Sequence, residues 1–287
     1  MSSTTSSERT RLHVGASLTM LGAGAALGLL ARAITASGPL VAVGWWAATA
    51  GVIWLVLAPP TVATMRDSIL PGAFLALALG LAAYALDEGE TVLLAAFLVA
   101  PLSLGPAVSG LIRRTMPPPF HLMGFAAGAL SIVVVGASGG TDPGIVLAAS
   151  AGGALTVVHL TMARTLHQHR VIAHGGGSLL VAGALLLAGA GATDSLLPAS
   201  EAWLPLIGAT LLGGSALPLV RVRLAQRLTP VGMRPHLPLL AAGAVLVAGM
   251  PEDAMGLAAL GLVVIGAWTA GLRPSELTGA EAYRPGP

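Results

Sequence analysis

Residues 172–190 read IAHGGGSLLVAGALLLAGA and contain no side chain with a fixed charge. Apolar or small residues occur on all sides of a helix drawn through this stretch, whereas a helix at the surface of a soluble domain has a polar stripe. About 20 such residues in a helix are enough to cross the hydrocarbon core of a bilayer. The stretch therefore predicts a transmembrane helix.

Nine further stretches of this kind alternate with short polar loops along the chain. Hydrophobic residues make up 55% of the sequence and charged residues 9%, with a mean hydropathy of +0.85, whereas a soluble domain has about 25% charged residues. We therefore predict an all-α fold, a polytopic integral membrane bundle of about ten transmembrane helices. Their predicted bounds are 12–32, 38–58, 69–86, 91–112, 120–138, 144–164, 171–191, 203–220, 236–250 and 255–272.

The fixed charges are sorted by sign between alternate loops. Thirteen of the 14 arginines lie in the two tails or in every second loop, and eight of the 12 acidic residues lie in the loops between them. Arginine in short loops marks the cytoplasmic side of a membrane protein. The pattern predicts a plasma or inner membrane protein with cytoplasmic termini: a tail over 1–11, a membrane domain over 12–272 and a disordered tail over 273–287. Arg32 is the exception, which we attribute to snorkelling at the interface.

Glycines at a spacing of four indicate where helix backbones approach closely. Gly24 and Gly28 form one such pair, Gly124 and Gly128 form another, and residues 175–177 are three glycines in a row. We predict helix packing at all three places.

The residue types that are missing exclude several function classes. The chain has no cysteine, so it has no disulfide and no thiolate metal site. Asp67 is the only carboxylate in the predicted cytoplasmic loops, whereas enzymes that hold magnesium on carboxylates need several. No HExxH or P-loop sequence occurs, and no basic patch is interleaved with aromatic residues. We expect a protein that is not an enzyme and whose partner is the lipid bilayer and not nucleic acid.

All seven histidines fall on the predicted cytoplasmic side, and a polar residue within a membrane is often functional. His13 and His236 stand where predicted spans begin, as do His121 and His174, and His159 lies inside a span. Three interpretations are open: tolerance of histidine at the interface, a haem or metal site of His121, His159 and His174, or an anion site of the same histidines with arginines. The candidate contacts for an anion or a lipid head group are Arg164, Arg170, Arg221, Arg223 and Arg227.

Several motifs follow one another in a recognisable order. The segment His13–Ser17 opens the first span, residues 159–164 precede Ala173-His174, and an arginine-rich segment ending in proline covers 221–235. This order resembles the YwiC-like family of bacterial membrane proteins, in which a His-Gly-Ala-Trp motif opens the first span and a basic motif precedes a histidine. The late glycine–glutamate of that family has no glutamate here. The resemblance implies a ten-span membrane protein without implying a reaction.

Three functions remain in view. An even number of spans permits two five-span halves of opposite orientation, a layout that small-solute transporters use, although no internal repeat is convincing. Permease-like transport of a small neutral or anionic solute is the first hypothesis. The alternatives are a redox role for haem or metal held by membrane histidines, and an assembly or scaffold subunit of a membrane complex.

Overall fold

The computed structural model describes residues 6–87, 168–193, 196–216, 236 and 238–249, with isolated positions at 126–130 and 254–265. Regular structure in this part of the chain is entirely helical, which confirms the predicted all-α fold. The helices are α1 (Ser6–Ser37), α2 (Pro39–Leu57), α3 (Val62–Asp87), α4 (Gln168–Thr193), α5 (Trp203–Ala209) and α6 (Pro238–Ala248). A short 3₁₀ turn, Ser200–Ala202, precedes α5, and a π-helical segment, Thr210–Ala216, continues it.

Four of the helices are long and apolar enough to cross a membrane. These segments are Thr10–Ser37, Pro39–Leu57, Val62–Tyr84 and Ile172–Ala192. Large apolar side chains also cover the outer surface, as Leu204 at 81% exposure and Leu246 at 74% illustrate. A surface of this kind is suited to lipid and not to water. The predicted spans at 91–112, 120–138, 144–164 and 255–272 fall largely or wholly outside the described residues.

One residue separates α1 from α2. Gly38 has a φ of 83° and a ψ of 157°, a backbone conformation that is essentially restricted to glycine. Its N–H donates to the carbonyl oxygen of Ile34 at 2.8 Å, and Pro39 begins the next helix. The chain therefore reverses direction within one residue.

Helix α3 begins earlier than the predicted span at 69–86. Thr61 precedes the helix, and its Oγ1 accepts the backbone N–H of Thr64 at 3.2 Å, which is N-terminal capping. Arg66 and Asp67, which the sequence placed in a loop, are exposed positions on the first turns of α3. Hydropathy marks where a helix can enter lipid, and it does not mark where the helix begins.

Two glycine contacts between α2 and α4 show that these helices are antiparallel. Gly44 packs against Leu187, whereas Gly51 packs against Leu180. Helices α3 and α4 are instead parallel, because Ser68 contacts Gly177 near their first turns and Gly80 contacts Leu186 farther along both helices.

Helices α1 and α6 are parallel and unusually close. A Cβ atom on Gly24 would collide with the backbone of Leu240, and one on Gly28 would lie 2.6 Å from the Cβ of Val247. The predicted close packing at Gly24 and Gly28 is confirmed. Gly243 of α6 meets the backbone of α1 in the same way, and the pair Gly124 and Gly128 lies outside the described residues.

The directions of the helices place charged residues of the same sign at the same end of the bundle. The first residues of α1, α3, α4 and α6 lie at one end of the bundle, which we call the histidine end because it contains His13, His174 and His236. Arg11, Arg66 and Arg170 are located at this end, whereas Asp87 and Glu201 lie at the opposite end. In the part of the chain that the structure describes, these three arginines and these two acidic residues therefore lie at opposite ends of the bundle.

Arg32, the exception in the charge pattern, has a protein partner. Its guanidinium Nη2 donates to the carbonyl oxygen of Val247 at 2.8 Å. Val247 belongs to the last turn of α6, where carbonyl groups lack partners within the helix and where the helix dipole attracts a cation. Arg32 therefore links α1 to the end of α6.

Candidate functional site

The most buried titratable side chain in the described part of the chain is His174. Its residue is 6% exposed, and its Nδ1 lies 3.0 Å from the Oγ of Ser68, which is 0% exposed. The Ser68 hydroxyl also contacts the carbonyl oxygen of Thr64 at 2.7 Å. The same hydroxyl lies 3.2 Å from the carbonyl oxygen of His174. When its one proton is donated to Thr64, the shortest of these contacts, Ser68 accepts a hydrogen bond from the Nδ1–H of His174. Ser178 donates to the carbonyl oxygen of His174 at 2.9 Å.

The three glycines after His174 bring two other helices to it. A Cβ on Gly177 would lie 2.6 Å from the Oγ of Ser68, so only glycine allows α3 to come this close. A Cβ on Gly176 would lie 2.8 Å from the Cβ of Trp54 of α2. The predicted packing at residues 175–177 is confirmed, because this glycine run packs against both α2 and α3.

Three tryptophans of α2 donate hydrogen bonds to main-chain carbonyls of the segment that contains α5. The indole N–H groups of Trp45, Trp46 and Trp54 donate to Leu196, Ala209 and Gly214 at 2.8, 3.2 and 2.6 Å respectively. Ala209 is the last residue of α5, immediately before the π-helical segment, and Gly214 lies within that segment. π-Helical segments are rare and frequently occur at functional sites.

Further hydroxyl groups continue this polar contact towards the middle of the bundle: Thr210 and Ser215 are buried and Thr49 is half-buried. Thr49 lies 3.4 Å from Thr210, oxygen to oxygen, and Ser215 donates to the carbonyl oxygen of Leu211 at 3.0 Å. Thr49 precedes Trp54 by five residues, which places it about 7 Å deeper along the helix axis. We call Trp54, Ser68, His174 and Ser178 the polar layer, and the Thr49–Thr210 contact extends it inwards.

The substitution Trp54→Phe tests the link to the π-helical segment. It keeps an aromatic ring but removes the donor to the carbonyl of Gly214, a buried residue. We expect a loss of about 1–3 kcal/mol in the free energy of unfolding, because a buried acceptor would lose its partner.

The matched control is Trp45→Phe, whose acceptor residue, Leu196, is 54% exposed. Water replaces that donor, so the expected loss is about 1 kcal/mol or less. Denaturant titration of both variants in detergent micelles measures the difference. Equal losses would show that the π-helical carbonyl does not depend on Trp54.

A second histidine cluster joins α1 to the start of α6. The Nδ1 of His13 lies 3.0 Å from the Nε2 of His236, and the Oγ of Ser17 lies 3.0 Å from the Nδ1 of His236. The two imidazole rings are 5.3 Å apart between centroids. Burial, and secondly the neighbouring His13, lower the pKa of His236 below its usual value of 6.5.

This pKa shift predicts a loss of stability in acid. Below about pH 6.5 the unfolded chain binds a proton at His236 that the folded chain resists, so stability is complete above that pH and falls as the pH decreases. We expect the thermal unfolding midpoint of the wild type to decrease from about pH 8 to about pH 5. The variant His236→Gln should show a smaller decrease, and an unchanged pH profile would contradict the assignment.

Of the site residues predicted from the sequence, the structure places His174 in the buried contact with Ser68. Arg170 lies on the first turn of α4. The other predicted residues, namely His121, His159, Arg164, Arg221, Arg223 and Arg227, lie outside the described residues. Among the side chains that the structure describes, no group of three or more metal-ligating residues occurs.

Sequence reasoning missed Ser68, Trp54 and Ser17 as partners. Ser68 and His174 are 106 residues apart, and Ser17 and His236 are 219 apart. No local pattern connects such pairs. The single available signal was the glycine run beside His174, which marks a place where another helix comes close.

Comparison with known proteins gives the fold alone. No protein-family model matches the chain, and no curated protein matches it. Six chains of solved structures match. One, described only as "Crystal structure of protein", has a TM-score of 0.56 and 21% identity, and the match covers 89% of this chain and 96% of that one. The similarity to the YwiC-like family stays a prediction.

Proposed function

We propose that this protein is a permease for a small neutral or anionic solute, which passes along the polar layer between α2, α3 and α4. The observation that carries the proposal is the buried contact between His174 and Ser68 inside an apolar bundle. Polar groups within a membrane protein are costly and usually face a substrate pathway or another functional site.

Two further features support a pathway at this place. The helix opposite Trp54 changes from α-helical to π-helical at Thr210, and irregular backbone at membrane depth is found where it is buried in protein or lines a cavity. The extension from Trp54 to Thr49 continues the polar contacts inwards. A solute pathway would require polar contacts that continue through the bundle and a backbone that can line it.

The groups of the polar layer favour a neutral or anionic solute. His174, Trp54 and the serine hydroxyls are hydrogen-bond donors, and none of the four side chains is a carboxylate. A cation pathway usually depends on acidic side chains. The predicted arginine contacts for an anion or head group, Arg170 among them, belong to the same proposal.

The proposed topology is ten spans with both termini in the cytoplasm of a plasma or inner membrane protein. The parallel course of α3 and α4 supports it, because an odd number of crossings must then separate them, and three are predicted between residues 88 and 167. The histidine end, with Arg11 and Arg66, would face the cytoplasm. Labelling of a single cysteine introduced at residue 88 in intact cells tests the orientation.

An osmotic assay tests the transport proposal. Purified protein in liposomes is exposed to gradients of urea, glycerol, formate, acetate and lactate, and the rate of swelling is followed by light scattering. We expect at least one solute to enter faster than into protein-free liposomes, and Ser68→Ala to slow that entry. Thr19→Ala, which removes a similarly buried hydroxyl of α1, should leave the rate unchanged.

Other outcomes would contradict the proposal in distinct ways. If no solute enters faster and the purified protein has a Soret absorption band that is lost in His174→Ala, the haem alternative replaces the permease. If neither behaviour is seen and stoichiometric membrane proteins co-purify, the scaffold alternative replaces it. Equal slowing by Ser68→Ala and Thr19→Ala would remove the polar layer from the pathway.

A further inference from the structure

We propose that His13 and His236 form a binding site for a divalent transition-metal ion, with Ser17 as the positioning residue. This site is separate from the polar layer and independent of the proposed transport function. The ion would be of the zinc or copper class, because neutral imidazole nitrogens suit Zn²⁺, Cu²⁺ and Ni²⁺.

The distance between the two facing nitrogens is close to that of a bidentate site. His13 Nδ1 and His236 Nε2 are 3.0 Å apart and belong to different helical segments. An ion bound at about 2.0–2.1 Å in tetrahedral geometry separates two ligand nitrogens by about 3.3 Å. The ring centroids are 5.3 Å apart, so the two nitrogens face each other almost directly. Admitting the ion therefore requires both rings to turn towards it, in addition to a shift of a few tenths of an ångström between the nitrogens.

Ser17 supplies the contact that orients one of the ligands. Its hydroxyl lies 3.0 Å from the Nδ1 of His236, on the side of the ring away from His13. When the Nδ1–H donates to Ser17, the lone pair of Nε2 faces His13. Metal-binding histidines usually have such a partner on the second nitrogen, which selects the tautomer.

Binding of the ion to the neutral imidazoles of His13 and His236 requires no release of protons. In the tautomer in which the Nδ1–H of His236 donates to Ser17, the Nδ1–H of His13 donates to the Nε2 of His236. When the proton of His13 is on its Nε2 instead, both facing nitrogens present lone pairs to the ion. Both rings must be neutral to bind the ion through these nitrogens.

The place of the cluster makes it accessible from water. His13 is exposed, and Ser17 and His236 are half-buried. All three lie at the histidine end, before the apolar helix that begins at Pro238 and at the start of the long apolar segment of α1. An ion would enter from the aqueous side and complete its coordination with water.

Cu²⁺ is the probe for the test, because its electron paramagnetic resonance spectrum reports nitrogen ligands. Full-length protein is purified in detergent without a histidine tag and titrated with Cu²⁺ alone. We expect one ion per chain and a spectrum with nitrogen coupling. His13→Asn and His236→Asn should each abolish the tight binding, and Ser17→Ala should weaken it by about tenfold.

His174→Asn is the matched control, since it removes an imidazole from a different site and should leave the Cu²⁺ affinity unchanged. The thermal unfolding midpoint of each variant shows that it is folded. Binding that survives in both His13→Asn and His236→Asn would overturn the proposal and assign the ion to other histidines. Absence of stoichiometric binding to the wild type would overturn it as well.

Discussion

Gly183→Ala is expected to destabilise the bundle by about 1–3 kcal/mol, although it adds a single methyl group. The new Cβ would lie 2.7 Å from the Cα and 2.8 Å from the Cβ of Ala48 on α2. A backbone cannot rotate away as a long side chain can, so α2 and α4 would have to separate. Membrane helices associate through van der Waals packing without a hydrophobic driving force between them, and separation forfeits that packing.

Gly189→Ala on the same helix is the matched control. The nearest atom to its Cβ would be the Cδ1 of Leu40 at 3.6 Å, an ordinary contact. Alanine is favoured over glycine in a helix by about 1 kcal/mol, so this variant should be neutral or slightly stabilised. Unfolding of both variants in mixed micelles gives the comparison. Similar effects of the two substitutions would show that the α2–α4 contact is looser than the structure has it.

His174→Ala is expected to have the second large effect, a loss of about 2–4 kcal/mol in stability together with a loss of solute entry. The substitution leaves a cavity at a residue that is 6% exposed and removes the hydrogen bond to the fully buried Ser68. The free energy of unfolding and the swelling rate of proteoliposomes are the two measurements.

His174→Asn separates the two effects. The asparagine amide lies near the position of Nδ1 and can still donate to Ser68, so the stability should return to within about 1 kcal/mol of the wild type. Solute entry should remain slow if the imidazole itself contacts the solute. Wild-type entry rates in both variants would remove His174 from the proposed pathway and leave it a packing residue.

The sequence predicts a helix best where hydropathy and the local start and stop residues indicate the same bounds. The predicted bounds 38–58 and the observed helix Pro39–Leu57 differ by one residue at each end, because Gly38 and the prolines after Leu57 are local stop signals. The start of α3 at Val62 was missed because it depends on one capping hydroxyl, that of Thr61. The predicted span at 203–220 contains a π-helical segment that hydropathy does not register.

The candidate site was predictable only in part. His174 could be selected because a titratable residue in an apolar stretch is unusual, and residues 175–177 indicated that another helix lies near. The identity of that helix, and hence of Ser68, could not be predicted from local sequence. The same holds for the contact of His13 with His236, whose chain separation is 223 residues.

The order of residues along the chain was sufficient for the membrane class, because the free energy of placing a helix in lipid is close to a sum over its own side chains. The alternation of charge along the chain also agrees with the positions of Arg11, Arg66, Arg170, Asp87 and Glu201 at the two ends of the described helices. Which polar groups contact one another depends on the tertiary structure, because the glycines determine which helix backbones can pack closely. Ser68 pairs with His174 because Gly177 permits the approach, and such steric fit is a property of two helices and not of either one alone.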